Sequence, residues 1–269
     1  MTFANKTYLI TGASEGIGRS LAIKLAEKGA NLALAARNQD ALAETANACI
    51  HSGGKAIIIP TDVTKTEACQ NFIEQAIKTF GAIDGLVNNA GISMFAKFEE
   101  VTDLSIFDRI MQVNYLGAVY CTHYALPYLK QSKGLLVAIS SLTGKYGIPT
   151  RSGYAASKYA MQGFFDCLRI ELRGTGVNVL VVFPGFVATD IRHKLLGTDG
   201  KIIKATLSNE QENMMSVSEC AEQIVKAMEK RKRELIMTRR GRFGIWLKLI
   251  APDLLDRIAE KAIKSQKQS

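Results

Sequence analysis

The sequence has little cysteine and histidine, and neither residue occurs in closely spaced pairs. Zinc sites and dithiol redox motifs need such pairs, most simply a CxxC motif or a Cys/His cluster. The cysteines and histidines are instead scattered along the chain, at Cys49, Cys69, Cys121, Cys167 and Cys220 and at His51, His123 and His193. We therefore predict reduced, packed thiols, histidines in surface or structural roles, and no bound metal.

Targeting and membrane-spanning segments are also missing. The chain runs from Met1 through Lys6 straight into the apolar segment Tyr8-Leu9-Ile10, without the charged start, apolar stretch and cleavage site of a secretory signal. No apolar run approaches the roughly 20 residues that a helix needs to cross a bilayer. The sequence therefore predicts a cytoplasmic protein, for which any contact with a membrane is peripheral.

Acidic residues are scarce near the C-terminus. The formal net charge is +9, and residues 226–248 alone contain nine basic and two acidic residues. A basic surface can indicate nucleic-acid binding. Here the excess is confined to one segment, and the sequence shows no RNP or helix-turn-helix pattern, so we predict no nucleic-acid partner.

The pattern of apolar segments predicts an α/β fold. Short stretches rich in β-branched residues alternate with longer stretches of helical period, which is typical of a parallel sheet covered by helices on both faces. The predicted strands are 7–11, 31–35, 55–60, 85–88, 134–140, 177–183 and 234–237, and the predicted helices are 18–28, 39–52, 65–80, 105–131, 154–173 and 218–232. Right-handed crossovers give a single doubly wound Rossmann sheet. We expect one domain over 1–238 and a helical extension over 239–269.

A glycine-rich loop follows the first predicted strand and opens directly into a helix. It reads Thr11-Gly12-Ala13-Ser14-Glu15-Gly16-Ile17-Gly18, a GxxxGxG spacing rather than the GxGxxG of the general dinucleotide fingerprint. Glycines at these positions allow a tight turn, close approach of a pyrophosphate and close packing of the helix, whose first N–H groups are unpaired. The loop favours a dinucleotide site over a purely structural turn.

Arg37 lies about twenty residues after this loop, where the dinucleotide-binding pattern places the residue that contacts the adenosine ribose. An acidic side chain there would hydrogen-bond a free 2′-hydroxyl, whereas the guanidinium of Arg37 suits a 2′-phosphate. The alternative is a solvated arginine after a strand, which does not explain the missing carboxylate. The sequence therefore favours NADP(H) over NAD(H).

Tyr154 and Lys158 lie four residues apart at the start of a predicted helix, so both side chains project from one face. A phenol with a pKa of ~10 is a poor acid–base catalyst near neutral pH, and a neighbouring ammonium lowers that pKa. Thirteen residues before Tyr154, an apolar strand ends in Ser140-Ser141, where a hydroxyl can reach the ligand cleft. An isolated YxxxK is usually a pair of surface residues, but here the glycine-rich loop and the serines at the end of a strand accompany it.

The glycine loop, the serine and the YxxxK together resemble the short-chain dehydrogenase/reductases, and the resemblance covers nearly the whole chain. Further matching segments are Asp62-Val63, Asn88-Asn89-Ala90-Gly91, Asn114 in Val-Asn-Tyr-Leu-Gly, and Pro184-Gly185-Phe186-Val187-Ala188-Thr189. The resemblance implies a Rossmann-fold oxidoreductase that uses NADP(H) to interconvert a carbonyl and an alcohol by hydride transfer. From the family we also expect a homodimer or homotetramer formed through the long helices near 105–131 and 154–173.

The resemblance also implies roles for individual residues. Tyr154 would protonate the carbonyl oxygen, and Ser141, rather than Ser140, would hydrogen-bond and position it. Lys158 would hold the nicotinamide ribose and depress the pKa of Tyr154, while Asn114 would anchor a water that links Lys158 to solvent. The implied cofactor contacts are Gly12, Ser14, Glu15, Gly16, Ile17 and Gly18 in the loop, Arg37, Asp62 and Val63 at the adenine, Asn89, Ala90 and Gly91 beside its ribose, and Pro184, Gly185, Val187 and Thr189 at the carboxamide.

The region after Thr189 corresponds to the family's substrate lid, at about residues 190–216. Its apolar residues Leu195, Leu196, Met214 and Met215 suit a lipophilic ketone or alcohol, steroid-like or long-chain, although lids often close with such residues whatever the ligand. The alternatives are a 3-oxoacyl thioester reductase, whose usual C-terminal Gly-Gly ending is absent, and a non-catalytic NADP(H)-binding regulator. A regulator would have lost one of the three catalytic side chains, and all are present.

The C-terminal extension joins basic residues to an apolar patch that contains Trp246. It is similar to the tails of the family branch that contains 11β-hydroxysteroid dehydrogenases and 3-ketosphinganine reductases. Basic and aromatic residues together are typical of interfacial membrane attachment. Packing of the patch on its own domain or on a second subunit is an equal alternative.

Overall fold

The computed structural model describes residues 2–189, 195–203 and 214–267, with side chains described as far as residue 261. These residues contain a seven-stranded parallel sheet. Its strands are β1 (Thr7–Thr11), β2 (Asn31–Ala36), β3 (Lys55–Pro60), β4 (Gly85–Asn88), β6 (Leu135–Ile139), β7 (Asn178–Phe183) and β10 (Glu234–Ile236). A smaller sheet contains β5 (Ser93–Met94), β8 (Leu195–Leu196) and β9 (Ile202–Ile203).

The strand order in the main sheet is β10-β7-β6-β4-β1-β2-β3. The order reverses between β1 and β4, which pair with Tyr8 opposite Gly85 and Ile10 opposite Val87. Ligands of doubly wound sheets bind beyond the carboxyl ends of the strands at such a reversal. The predicted fold and the seven predicted strands are confirmed, with ends that differ by one residue at most.

Helices cover both faces of the sheet. They are α1 (Gly16–Ala26), α2 (Gln39–His51), α3 (Thr66–Phe80), α4 (Ser105–Met111), α5 (Gly117–Ser132), α6 (Ser152–Glu171), α7 (Val217–Glu229), α8 (Arg239–Ile250) and α9 (Pro252–Lys267). One core lies between the sheet and α1, α2 and α7, and the other between the sheet and α3, α5 and α6. The strands are buried on both faces, which explains why they read as continuous apolar runs rather than alternating ones.

The single helix predicted over 105–131 is wrong. A π-helical turn, Gln112–Leu116, separates α4 from α5. Such a turn inserts one extra residue into the helical repeat and therefore changes which side chains face the neighbouring elements. Asn114 lies in this turn and is completely buried, so the irregularity aims a polar side chain into the protein.

The predicted lid lies only partly within the described residues. Residues 190–194 and 204–213 are outside them, whereas β8 and β9 are described and pair with each other in antiparallel fashion. β8 also pairs with β5, so Ser93 lies opposite Leu195 and Met94 opposite Leu196. The sequence pattern did not indicate this small sheet, because strands of two residues carry no detectable periodicity.

The residues after β10 form α8 and α9, which pack against each other. Thr238 caps α8, and its hydroxyl accepts a hydrogen bond from the N–H of Gly241 at 2.9 Å. No helix in the described residues is long and apolar enough to cross a membrane. The division into a domain over 1–238 and an extension over 239–269 stays a prediction.

The hydroxyl of Thr11 joins the carboxyl ends of β1 and β4. It is buried and accepts hydrogen bonds from the N–H groups of Asn89 and Ala90, both at 3.0 Å. The side chain of Asn89 in turn donates to the carbonyl oxygens of Thr11 and Gly12, both at 3.0 Å. These bonds hold the glycine loop against the segment that follows β4.

We expect Thr11→Val to lower the free energy of unfolding by about 2–4 kcal/mol, because it keeps the shape of the side chain and leaves two N–H groups without an acceptor. Thr11→Ser keeps the hydroxyl and is the matched control, with a smaller loss. Urea denaturation of the three proteins measures the difference. A loss in Thr11→Ser as large as that in Thr11→Val would contradict this expectation, because the methyl group would then matter at least as much as the hydroxyl.

Candidate active site

A cleft of about 210 Å³ opens at the carboxyl ends of the central strands. Its walls bring together residues from six segments that are distant in the sequence. Of the predicted site residues, the cleft is lined by Ile17, Asn89, Gly91, Ser141, Tyr154, Lys158, Pro184, Gly185, Val187 and Thr189. The other predicted cofactor contacts lie around it, beyond the ends of β1, β2, β3 and β4.

A second cleft, of about 340 Å³, lies near the amino ends of β7 and β10, away from this chemistry, and has several arginines in its walls. Arg169 forms an ion pair with Asp166, and Arg231 donates to the carbonyl oxygen of Lys133 at 2.9 Å. These two arginines bind the protein's own groups.

Ser140 and Ser141 face different surroundings. The hydroxyl of Ser140 is buried and donates to the carbonyl oxygen of Lys158 at 3.4 Å. Ser141 begins a 3-10 turn, Leu142–Gly144, and its hydroxyl oxygen accepts from the N–H of Thr143 at 3.2 Å. The side chain of Ser141 also lies close enough to Tyr154 to lower the pKa of its phenol. The structure thus joins Ser141, rather than Ser140, to the tyrosine.

Burial raises the pKa of Tyr154, and the hydrogen bond with Ser141 and the positive charge of Arg151 oppose that rise. The net shift is upward, and the groups that oppose it are Ser141 and Arg151; the lowering of this pKa by Lys158 stays a prediction. The ammonium of Lys158 lies 5.7 Å from the centre of the Tyr154 ring and donates to the carbonyl oxygen of Ile139. Tyr154 therefore carries its proton at neutral pH.

Lys158 is 3 % exposed, and its Nζ donates to the carbonyl oxygen of Ile139 at 2.9 Å. Burial lowers the pKa of Lys158 to about 8, because an ammonium loses hydration in the protein interior. The group can therefore exchange a proton close to neutral pH. The bond to Ile139, the last residue of β6, holds the ammonium at the base of the cleft.

The amide of Asn114 is bound to the protein. Its Oδ1 accepts from the N–H of Ile92 at 2.8 Å, and its Nδ2 donates to the carbonyl oxygen of Ile92 and to Ser157 Oγ, both at 2.9 Å. A Cβ atom on Gly91 would lie 3.3 Å from Asn114 Oδ1 and 3.7 Å from Lys158 Nζ. Asn114 thus fixes the floor of the cleft beside Lys158. Its predicted water-anchoring role stays a prediction.

The glycine loop forms a tight cradle between β1 and α1. Gly12 has φ +64°, and a Cβ there would lie 2.9 Å from Ala90 Cα. A Cβ on Gly18 would lie 2.2 Å from the carbonyl oxygen of Gly12, so no larger residue fits. Helix α1 begins at Gly16, and its first turn contains no acidic residue. The open N–H groups of this turn and the glycine cradle fit a dinucleotide pyrophosphate. The half-buried members of the loop are Gly12, Ser14, Glu15, Gly16 and Ile17.

Three predicted contacts lie at the outer strands. Arg37 follows β2 and is exposed, next to Asn38, which caps α2. Asp62 follows β3, which pairs with β2, and its Oδ1 accepts from the N–H and hydroxyl of Thr64 at 3.0 and 2.9 Å. Val63 is buried, and a Cβ on Gly117 would come within 2.8 Å of it. Because β2 and β3 are neighbours, Arg37 and Asp62 both lie beyond the carboxyl ends of the strands, at the same edge of the sheet.

The segment after β7 closes the other side of the cleft. Val187 bridges to Met215, and the N–H of Ala188 donates to the carbonyl oxygen of Met215 at 3.1 Å. Thr189 lies above the glycine loop, 3.4 Å from where a Cβ on Gly16 would be. Pro184 and Thr189 thus bracket the cleft between β7 and the loop.

Sequence reasoning missed Arg151, which lies in the cleft wall one helical turn before Tyr154. Its guanidinium donates to Ser93 Oγ at 3.1 Å and to the carbonyl oxygen of Met94 at 2.7 Å, and it stacks 5.2 Å from the Phe95 ring. Arg151 therefore ties β5 to the start of α6. A single arginine before a YxxxK carries no sequence signal, because its partners lie in a strand too short to predict.

Comparisons with known proteins agree with this geometry. Residues 6–199 match the family described as short chain dehydrogenase. The chain is 38 % identical over 259 residues to 11-beta-hydroxysteroid dehydrogenase A of Arachis hypogaea, which covers 94 % of this chain and 74 % of that protein.

Two solved structures are similar. An alcohol dehydrogenase from the archaeon Thermococcus sibiricus, complexed with 5-hydroxy-NADP, is 29 % identical with a TM-score of 0.74 and covers 86 % of this chain and 95 % of its own. A short chain dehydrogenase/reductase from Burkholderia phymatum, in complex with NAD, has a TM-score of 0.83 at 24 % identity and covers 94 % and 96 %; it supports the fold alone. With the family match over most of its length, the chain belongs to the short-chain dehydrogenases, a family of oxidoreductases.

Proposed function

We propose that this protein uses NADP(H) to interconvert a lipophilic ketone and its secondary alcohol. The observation that carries the proposal is that the hydroxyls of Ser141 and Tyr154 share one wall of the cleft, where Ser141 lowers the pKa of Tyr154, with the buried ammonium of Lys158 at the base. A hydroxyl pair of this kind can bind one carbonyl oxygen from two directions. A nicotinamide bound in the cleft would supply the hydride or accept it.

In this proposal each side chain has one task. Tyr154, protonated at neutral pH because burial raises its pKa, donates its proton to the carbonyl oxygen during reduction. Ser141 donates a hydrogen bond to the same oxygen and stabilises the charge that develops there. Lys158 returns a proton to the site, and its pKa of about 8 suits that exchange near neutral pH. The glycine cradle and the start of α1 hold the pyrophosphate.

Removing the phenolic hydroxyl tests the chemistry. We expect Tyr154→Phe to lower kcat by about 10²–10⁴-fold, because it removes the proton donor. NADPH binding should change little. Tyr146→Phe is the matched control, since Tyr146 lines the same cleft, and we expect it to keep most of the activity. NADPH absorbance is followed against a panel of steroid and long-chain ketones.

The same panel separates the alternatives. Reduction of 3-oxoacyl thioesters without reduction of free ketones would replace the proposed substrate class. The protein would be a regulator rather than an enzyme if it binds NADPH, reduces none of the ketones in the panel, and keeps its biological role in the variant Tyr154→Phe.

The cofactor preference rests on Arg37. Its guanidinium is exposed at the end of β2, at the edge where the adenosine would lie, and no acidic residue replaces it there. Loss of a hydrogen bond to a charged partner costs about 1.5–3 kcal/mol.

We therefore expect Arg37→Gln to weaken NADPH binding by roughly 10–150-fold and to leave NADH binding nearly unchanged. Fluorescence titration with NADPH and with NADH measures the two affinities. The control is Arg173→Gln, which replaces an exposed arginine beyond the end of α6. Equal losses of affinity for both cofactors in Arg37→Gln would contradict the assignment.

A lipophilic substrate is supported by the walls of the cleft away from the catalytic pair. They are mainly apolar and include Leu142, Ile148, Phe186 and Leu195. The similar protein from Arachis hypogaea is named for a hydroxysteroid.

We also propose that the protein is a cytoplasmic homodimer or homotetramer, in which the catalytic domain spans 1–238 and its lid about 190–216.

Arg151 should set the pH dependence of alcohol oxidation. That direction needs the phenolate of Tyr154, so its rate rises as pH passes the tyrosine pKa. The positive charge of Arg151 lowers that pKa, and Arg151→Gln should therefore move the rise in kcat/KM to higher pH. Arg151→Lys keeps the charge and should move it less. A purely structural role for Arg151 would lower the rate at every pH without shifting the profile.

A further inference from the structure

Helices α8 and α9 expose an unusual amount of apolar surface. Phe243, Trp246, Leu249 and Ile250 on α8 are each 65–78 % exposed, and Leu254 and Ile258 on α9 are about half exposed. Exposed apolar patches rimmed by polar residues mark sites of interaction. We propose that this docking face, formed by these six residues, binds the surface of an anionic lipid bilayer and holds the substrate cleft beside it.

The larger part of the docking face is one side of α8, whose other side is fixed to the protein. Gly241, Gly244 and Leu247 are buried. Lys248, although exposed, also ties α8 to the domain: its Nζ donates to the carbonyl oxygen of Lys145 at 2.8 Å and to the Tyr159 hydroxyl at 2.7 Å. Helix α8 is therefore held in place while its apolar side faces outward.

Basic residues extend this face. Arg239 and Arg242 are exposed and lie three and four residues apart from each other and from Trp246, so they share its side of α8. Helix α8 contains four basic residues and no acidic one. Arginines beside a tryptophan and aliphatic residues match the headgroup and acyl layers of an anionic bilayer. A two-fold contact between copies would bring the same basic helix against itself, which favours lipid over a second copy.

A single layer of side chains separates helix α8, which carries most of the docking face, from the cleft. Leu142 and Tyr146 line the cleft and also support α8, since Cβ atoms on Gly241 and Gly244 would lie 2.6 Å from Leu142 and 3.1 Å from Tyr146. A bilayer bound by this face would lie close to the apolar walls that receive the substrate. This step rests on the proposed function, whereas the binding of lipid does not.

Vesicle sedimentation of the full chain tests the proposal. We use vesicles with about one part phosphatidylserine to two parts phosphatidylcholine, and pure phosphatidylcholine for comparison. The protein should sediment with the anionic vesicles and much less with the neutral ones. Trp246 is the single tryptophan of the chain, so its emission should shift to shorter wavelength on binding and report on the docking face directly.

Two double variants and a matched control locate the contact. Leu249→Ser with Ile250→Ser should weaken binding at least tenfold, and Arg239→Gln with Arg242→Gln about 30-fold on anionic vesicles, since each charge contributes roughly fivefold. Ile50→Ser with Ile170→Ser removes two exposed aliphatic residues from α2 and α6 and should change nothing. Circular dichroism checks that each variant is folded.

Three outcomes would overturn the proposal. One is equal sedimentation of all variants. Another is a failure of the wild type to bind anionic vesicles. The third is a Trp246 shift that follows protein concentration without lipid, which would assign the face to a second copy. Vesicle binding without turnover of any ketone would instead contradict the proposed function and leave the docking face intact.

Discussion

The junction between the ends of β1 and β4 is the constraint on which the site depends. Here the strand order reverses, so the helices that follow the two strands leave to opposite faces and open a crevice. The Thr11 hydroxyl and the Asn89 amide close the crevice floor with four hydrogen bonds to backbone groups. Gly12 and Gly18 allow the approach that these bonds require. The cofactor cradle and the floor of the cleft are thus one hydrogen-bonded unit.

Burial acts in opposite directions on the two ionisable groups of the site. It raises the pKa of Tyr154 and lowers that of Lys158 to about 8, so both groups are pushed toward their neutral forms. For the proposed reduction, Tyr154 then holds the proton that it donates, and the Lys158 ammonium, with its lowered pKa, gives up a proton more readily to resupply it. The same burial opposes folding below about pH 8, because the charged form of Lys158 loses its hydration when the protein folds. The free energy of unfolding should therefore rise as the pH increases from the folded pKa of Lys158 to its higher unfolded pKa.

The sequence was sufficient for the parts of the fold that repeat or carry strong local signals. Continuous apolar runs located the seven strands of the main sheet, and the glycine loop and YxxxK located the residues that line the cleft. The π turn at Asn114 was missed because it conserves the helical character of its residues and changes only their register. Arg151 and the bond from Lys158 to Ile139 were missed because they depend on contacts between distant segments, which periodicity does not contain.

The turn that positions Ser141 also supports the C-terminal helix. Ser141 opens the turn Leu142–Gly144, the N–H of Leu142 donates to the carbonyl oxygen of Pro184 at 3.2 Å, and Leu142 packs under Gly241 of α8. A shift of α8 would therefore reach Leu142 first and the neighbouring Ser141 next, because closely packed side chains transmit displacement rather than absorb it. The extension thus supports the cleft wall from behind, although the proposed catalytic residues all precede it.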